Sequence, residues 1–159
     1  MAGLKHRLRP VEPDFVESAP MRLSFSAAVT AAPEAVHRAL AEDTEGWAQW
    51  FAAVSSARPT ARGRQVTLAG GLRFEETVLA SEAPKRYAYR ADAMNRPGVR
   101  AILEEWRIEP AARGSLVQWT IAVDPAPAAA LFLRLITPML RAAFRRAVHR
   151  LDLRLATRP

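Results

Sequence analysis

Six consecutive segments between Val54 and Pro125 alternate apolar and polar residues with a period of two. Such alternation is typical of β-strands that bury one face. Turn signals separate the segments, among them Gly70-Gly71 and the stretch from Asn95 to Gly98. Because short connections join strands in antiparallel fashion, the six segments predict an antiparallel meander. No other part of the chain restricts the possible folds as strongly.

One further strand and two short helices are predicted before the meander. Residues Met21 to Thr30 alternate in the same way. Pro33 and Glu34 then suit the first turn of a helix, and a second short helix is predicted after Gly46. Its aromatic side chains are expected to pack the short helices rather than bind a substrate. They are Trp47, Trp50 and Phe51.

The segment from Leu133 to Leu155 predicts one long amphipathic helix of roughly 35 Å. Its apolar stripe consists of Leu133, Ile136, Leu140, Phe144, Ala147, Leu151 and Leu155. Pro138 predicts a kink, or a main part that begins after Thr137. A curved sheet needs its inner face covered, and only this helix is long enough. The sequence therefore predicts an α+β fold, with a seven-stranded antiparallel sheet wrapped around the C-terminal helix.

Three stretches carry a family resemblance: "AAPEAVHRALAEDTEGWAQWF", "FEETVLASEAPKRYAYRA" and "WRIEPAARGSLVQWTIAVDP". Together with the order of elements, they resemble the polyketide cyclase/dehydrase branch of the START-like (SRPBCC) superfamily over about Met21 to Ala156. The resemblance implies a helix-grip fold with a cavity between the sheet and the last helix. It also implies a hydrophobic small-molecule ligand such as a lipid, sterol, polyketide, quinone or plant hormone. Some members are cyclases or dehydratases, and fold membership does not choose among these activities.

Length and composition indicate one domain over residues 21–159, preceded by residues 1–20 as a mobile leader or a strap on the domain surface. The chain has no cysteine, which excludes disulfides, thiolate metal ligands and cysteine nucleophiles. This composition fits a reducing cytosol, so a cytoplasmic location is expected. No apolar run approaches 18 residues, so no membrane-spanning helix is expected.

Strand parity and the helical stripe predict which side chains face the cavity. The candidate ligand-binding residues are Phe74, Glu76, Tyr87, Tyr89, Ile102, Glu104, Trp106, Trp119, Ile121, Leu140 and Phe144. Among them, Glu76 and Glu104 are carboxylates with apolar neighbours, so each must find a partner or take up a proton. Arg90 or Arg107 could serve as that partner if the strand register differs from the one assumed.

No catalytic constellation is evident, and catalytic residues stay unassigned. Of the three histidines, His6 lies in the leader, and neither His37 nor His149 has an obvious acidic partner in sequence. They are scattered, which makes a zinc site improbable without cysteine. There is no GxGxxG motif and no phosphate loop. No cofactor and no metal are therefore expected.

Three functions remain open: a carrier of a hydrophobic ligand, an enzyme of the cyclase or dehydratase type that uses the same cavity, and an interaction protein. The third depends on a net charge of +7, almost all of it in the C-terminal helix. Five arginines are predicted to lie outward and could make weak contact with an anionic membrane. They are Arg134, Arg141, Arg145, Arg150 and Arg154. Nucleic acid is an unlikely partner, because few aromatic residues interleave with them.

Overall fold

The computed structural model describes residues 4–157. Residues 1–3 of the predicted leader and residues 158 and 159 of the predicted domain lie outside this range. The strands are β1 (His6–Arg7), β2 (Met21–Val29), β3 (Val54–Pro59), β4 (Gly63–Leu68), β5 (Arg73–Glu82), β6 (Arg86–Met94), β7 (Val99–Ala111) and β8 (Gly114–Pro125). The helices are α1 (Phe15–Ser18), α2 (Pro33–Ala41), α3 (Trp47–Trp50) and α4 (Pro127–Ala156).

The seven long strands form one sheet in the order β2-β8-β7-β6-β5-β4-β3, with every neighbouring pair antiparallel. The strands from β3 to β8 follow one another along the chain as the predicted meander. Strand β2 lies at one edge of the sheet, where it pairs with β8. Two short helices, α2 and α3, follow β2. The predicted fold class is therefore confirmed.

The core lies between the inner face of the sheet, α3 and the C-terminal half of α4. In that half of the helix the buried side chains are Phe144, Ala147, Val148 and Leu151. Phe144 contacts a pair of stacked indoles, Trp106 and Trp119, whose ring centroids are 5.3 Å apart. The carboxylate of Asp152 accepts hydrogen bonds from the backbone N–H groups of Thr30 and Ala31, at 2.8 and 2.9 Å. These contacts fix the C-terminal half of α4 to the sheet.

Helix α4 is longer than predicted, because it begins at Pro127 and spans 30 residues, or about 45 Å. It continues through Pro138, so the prediction that its main part begins after Thr137 is wrong. Pro138 is exposed, and water can reach the carbonyl that loses its helical partner. By length and composition alone α4 could cross a membrane. Its C-terminal half is nevertheless part of the core.

The N-terminal segment packs against the outer face of the sheet. Its apolar side chains Val11, Phe15 and Val16 form a buried cluster with outward residues of the sheet. These are Ala101 and Leu103 of β7 and Ala122 of β8. Its backbone also bridges β6 and β7, since the N–H of Leu8 bonds to Asp92 O at 3.0 Å and that of Arg9 to Arg100 O at 2.8 Å. These contacts hold residues 8–16 against the outer face of the sheet.

Candidate functional site

A cavity of about 370 Å³ lies between the inner face of the sheet and the N-terminal half of α4. Its wall is mostly apolar and comes from α3, from strands β3 to β8 and from α4. Eight of the eleven predicted site residues line it: Phe74, Glu76, Tyr89, Ile102, Glu104, Trp119, Ile121 and Leu140. Strand parity brings these residues together, because alternate residues of each strand point to the same face.

The structure places the other three predicted site residues, Tyr87, Trp106 and Phe144, behind the cavity wall. They are at most 3% exposed and belong to the main hydrophobic core. Trp106 has the inward parity, but the rings of Trp47 and Trp119 cover it at 5.5 and 5.3 Å. Inward parity alone does not distinguish a lining residue from a core residue under a second layer of aromatic rings.

Several lining residues were not predicted. Trp47 and Phe51 line the cavity instead of only packing the short helices, and Arg64 of β4 lies beside them. The sequence carries a signal for Arg64, because it has the same parity as Val66 and Leu68 on its strand. Seven of the remaining additions come from α4 and the β6–β7 turn, namely Arg96, Pro97, Ala129, Phe132, Leu133, Ile136 and Ala143. The other eight come from the strands and the residues next to them, namely Ala53, Val54, Val66, Leu68, Leu72, Met94, Val99 and Val123.

The cavity has a mouth and an inner end. Arg96, Pro97 and Phe132 line it and are exposed, so the mouth lies between the β6–β7 turn and the start of α4. The two elements touch there, since the N–H of Ala126 donates to the carbonyl of Gly98 at 2.8 Å. Arg64, Glu76 and Tyr89 are buried and form the inner end.

A buried ion pair occupies the inner end. The Nε of Arg64 donates to Oε1 of Glu76 at 2.9 Å, and both side chains are about 5% exposed or less. The guanidinium also contacts two aromatic rings, with its carbon 4.1 Å from the Trp47 centroid and 4.2 Å from that of Tyr89. Such desolvated cation–π contacts stabilise a buried positive charge.

The predicted partners of the two glutamates are wrong. Arg90 pairs with Asp92 at 3.0 Å and with Glu12 at 3.4 Å, whereas Arg107 pairs with Glu105 at 2.7 Å. These pairs belong to the opposite side of the strands from the cavity, since residue parity separates Arg107 from Glu104 on β7. The cation at the inner end is Arg64 instead.

Glu104 is held by a short hydrogen-bond network. Its Oε1 accepts the indole N–H of Trp119 at 2.8 Å and the hydroxyl of Tyr89 at 3.2 Å. The indole N–H of Trp106 in turn donates to the hydroxyl oxygen of Tyr89 at 3.3 Å. The buried Trp106 therefore fixes Tyr89, and Tyr89 helps to fix the carboxyl of Glu104.

Burial perturbs the titration of the inner end. It raises the pKa of Glu76 to about 7, against the opposing effect of the Arg64 charge and with a further increase from Glu104. Burial also raises the pKa of Glu104, opposed by Arg64 and by the hydrogen bonds from Trp119 and Tyr89. The cluster can therefore hold or release a proton near neutral pH, which is the range that general acid–base chemistry requires. Among residues 4–157, no group of three or more acidic or histidine side chains is arranged to hold a metal ion.

The exposed side chains of α4 differ between its N-terminal and C-terminal halves. In the N-terminal half, Leu131, Phe132, Leu135 and Met139 are 58–71% exposed. Four of the five arginines predicted to lie outward are exposed, namely Arg134, Arg141, Arg145 and Arg150. Arg154 is partly buried, with a guanidinium nitrogen 3.5 Å from Asp43 Oδ2. The half of α4 that covers the cavity thus presents both large apolar and basic side chains to the outside.

A curved antiparallel sheet that closes on a C-terminal helix and encloses an apolar cavity defines the helix-grip class of START-like proteins. Residues 20–156 match the family described as "Polyketide cyclase / dehydrase and lipid transport", and the chain belongs to this family. The predicted resemblance is therefore confirmed.

The chain is similar to several known proteins. An uncharacterized protein of Mycobacterium tuberculosis is 28% identical over 144 residues, which are 86% of each chain. A START superfamily protein of Mycobacterium smegmatis has the same fold, with a TM-score of 0.64 at 14% identity over 85% of this chain and 97% of that one. DynU16, a putative protein in the dynemicin biosynthetic locus, has a TM-score of 0.61 at 21% identity, over 86% of this chain and 47% of its own.

Proposed function

We propose that the protein binds and carries a compact hydrophobic molecule in the cavity under α4. The observation that carries this proposal is an apolar cavity of about 370 Å³ with one polar cluster at its inner end. Small-molecule sites are concave and mostly apolar, with a few polar groups that orient the ligand. Family membership supports a hydrophobic ligand. We propose a cytoplasmic location for this carrier.

Two measurements test the proposal. Native mass spectrometry of the purified protein should detect an added mass that organic solvent extracts. An apolar fluorescent probe, N-phenyl-1-naphthylamine, should bind the emptied protein and lose most of its affinity in Ile136→Trp, which fills the cavity. The matched control is Leu135→Trp, since Leu135 directly precedes Ile136 in α4 and is 71% exposed. Equal affinity in both variants would place the probe elsewhere and contradict the proposal.

An enzymatic role in the same cavity is the alternative. The observation that favours it is the inner cluster, in which Glu76 titrates near neutral pH beside Glu104 and Tyr89. The description of the family includes cyclases and dehydrases. A carrier returns its ligand unchanged, whereas a dehydratase removes water from it and a cyclase can convert it to an isomer of the same mass. The mass and the chromatographic retention time of the extracted ligand, before and after incubation with the emptied protein at pH 7, therefore separate the two roles.

A membrane-contact role could accompany either activity. The observation that favours it is the exposed apolar and basic face of α4, which has no acidic residue before Asp152. Near an anionic bilayer each arginine could contribute about 1 kcal/mol, and the exposed apolar side chains would leave water. We expect flotation with vesicles that contain phosphatidylglycerol and not with pure phosphatidylcholine. The double variant Leu135→Ser/Met139→Ser should lose flotation, and Leu153→Ser should keep it, because Leu153 is 56% exposed but lies on the other half of α4.

A further inference from the structure

The carboxyl of Glu104 has one oxygen that the protein does not use. Its Oε1 accepts two hydrogen bonds, from Tyr89 and Trp119, whereas Oε2 accepts none from residues 4–157. The side chain lines the cavity and keeps part of its surface accessible. The protein therefore orients this carboxyl through one oxygen and leaves the other open to the cavity. A fixed, open acceptor at the end of an apolar site is suited to a ligand that donates a hydrogen bond.

The same end of the cavity holds an unused donor. Within residues 4–157, Nη1 of Arg64 is buried and has no hydrogen-bond partner. The guanidinium cannot move away easily, because Glu76 binds its Nε and two aromatic rings contact it. Buried polar groups in native proteins are nearly always paired, so an unpaired one needs an explanation. Among the described residues, this unpaired donor leaves the inner end short of one hydrogen-bond acceptor.

The charge of the inner end restricts the kind of polar group that it would accept. One guanidinium faces two carboxyls, so the formal charge is −1 when both are ionised and zero when one holds a proton. A carboxylate or phosphate on the ligand would meet Glu76 and Glu104 as like charges. An ammonium group would lie against the Arg64 guanidinium, and once one carboxyl holds a proton the cluster has no net negative charge to offset that repulsion. An uncharged hydroxyl both donates and accepts, and it avoids the cost of bringing another charge out of water.

We propose that the cavity selects compact apolar molecules with an uncharged hydroxyl group at the buried end, which donates a hydrogen bond to the free oxygen of Glu104. This inference rests on the proposed ligand-binding function and specifies its ligand class. The size of the cavity suits a ligand of about two fused rings, since a cavity of about 150 Å³ already holds benzene. The inner polar cluster, rather than the apolar wall, then decides which hydrophobic molecules bind.

Four compounds with one ring system test the proposal by isothermal titration calorimetry at pH 7. They are naphthalene, 2-naphthol, 2-naphthoate and 2-naphthylmethylammonium. We expect 2-naphthol to bind at least tenfold more tightly than naphthalene, the value for a hydrogen bond to a charged group. Both charged compounds should bind more weakly than 2-naphthol. Equal affinities for naphthalene and 2-naphthol, or tighter binding of either charged compound, would overturn the proposal.

Substitution of the acceptor gives a second test. In Glu104→Gln an amide replaces the free oxygen, so the preference for 2-naphthol over naphthalene should fall below threefold while naphthalene affinity stays the same. The matched control is Glu109→Gln, because Glu109 is exposed on the same strand. Circular dichroism establishes that each variant is folded, and the four-compound comparison on the unmodified protein does not depend on either variant. A preference that survives in Glu104→Gln would refute the role of this carboxyl.

The outcomes also separate this inference from the proposed function. If the unmodified protein binds naphthalene and 2-naphthol equally, the hydroxyl preference is wrong and the apolar carrier remains. If it binds none of the four compounds, and no ligand is extracted from it, the proposed function itself fails.

Discussion

The buried carboxyl of Glu76 makes the stability of the protein depend on pH, and Glu76→Gln should remove that dependence. Burial raises the pKa of Glu76 from 4.5 to about 7 in the folded protein. Between pH 4.5 and pH 7 Glu76 holds a proton in the folded protein, whereas the unfolded chain has released it. Since stability falls with rising pH wherever the folded state binds more protons, the free energy of unfolding should decrease from pH 5 to pH 8. Below about pH 4.5 Glu76 is protonated in both states and does not lower the free energy of unfolding. Above pH 7 it is ionised in both states, and the decrease reaches its limit.

The size of the effect follows from the two pKa values. A tenfold change in proton affinity corresponds to about 1.4 kcal/mol. Integrated from pH 5 to pH 8, a group with a pKa of 4.5 in the unfolded chain and about 7 in the folded protein lowers the free energy of unfolding by about 2–3 kcal/mol. Glutamine cannot ionise, yet its amide oxygen can still accept the hydrogen bond from Arg64. Glu76→Gln should therefore retain the fold and lose most of this pH dependence.

Urea unfolding at pH 5, 6, 7 and 8, monitored by tryptophan fluorescence, measures the difference. The matched control is Glu75→Gln, because Glu75 is the neighbouring residue of β5 but is exposed. We expect the control to follow the unmodified protein at every pH. A free energy of unfolding that decreases equally in Glu76→Gln and in the unmodified protein would refute the reasoning, because another group would then hold the proton.

Three further changes test the fold. Deletion from Leu140 onward should abolish cooperative unfolding, because the inner face of the sheet loses its cover; an unchanged melting temperature would contradict the assignment of the core. Phe15→Ala should cost about 3–5 kcal/mol in urea unfolding, as for a buried core residue, whereas a mobile leader predicts no change. Gly114→Ala should destabilise the protein by more than 1 kcal/mol, because its φ is +113° and a Cβ would lie 2.2 Å from the carbonyl oxygen of Val29. Gly70→Ala, also at positive φ but with open space around it, should cost less.

The strand pattern was sufficient to predict the sheet and most of the cavity wall. Each long strand buries one face, so alternate residues such as Ile102 and Glu104 could be assigned to the inside. The same argument applies to Arg64, whose parity matches that of Val66. It was overlooked because a charged residue in a strand usually faces water, and its burial depends on Glu76 and two aromatic rings from distant parts of the chain. A pairing between separate elements has no local signal in one sequence.

Helical periodicity predicted the apolar stripe of α4 but not its division into two halves. Helical periodicity predicts the same burial for Leu133 and Phe144. In the structure Phe144 is fully buried, whereas Leu133 is partly exposed and lines the cavity. The difference arises because aromatic rings fill the space between the sheet and the C-terminal half of α4, whereas the cavity lies between the sheet and the N-terminal half. Leu131 and Leu135, which are not part of the predicted stripe, are 58% and 71% exposed, and this apolar exposure was not predicted.

The two halves of α4 give the carrier hypothesis a physical basis. The C-terminal half is fixed by Phe144 in the aromatic core and by the bonds from Asp152 to Thr30 and Ala31. The N-terminal half has no buried side chain of its own and touches the β6–β7 turn at the mouth. Local stability follows the density of buried contacts, so this half can separate from the sheet while the core stays folded. It also exposes four large apolar side chains, together with Arg134 and Arg141. A bilayer that binds this face would therefore contact the same segment that covers the cavity, and ligand transfer would not require the domain to unfold.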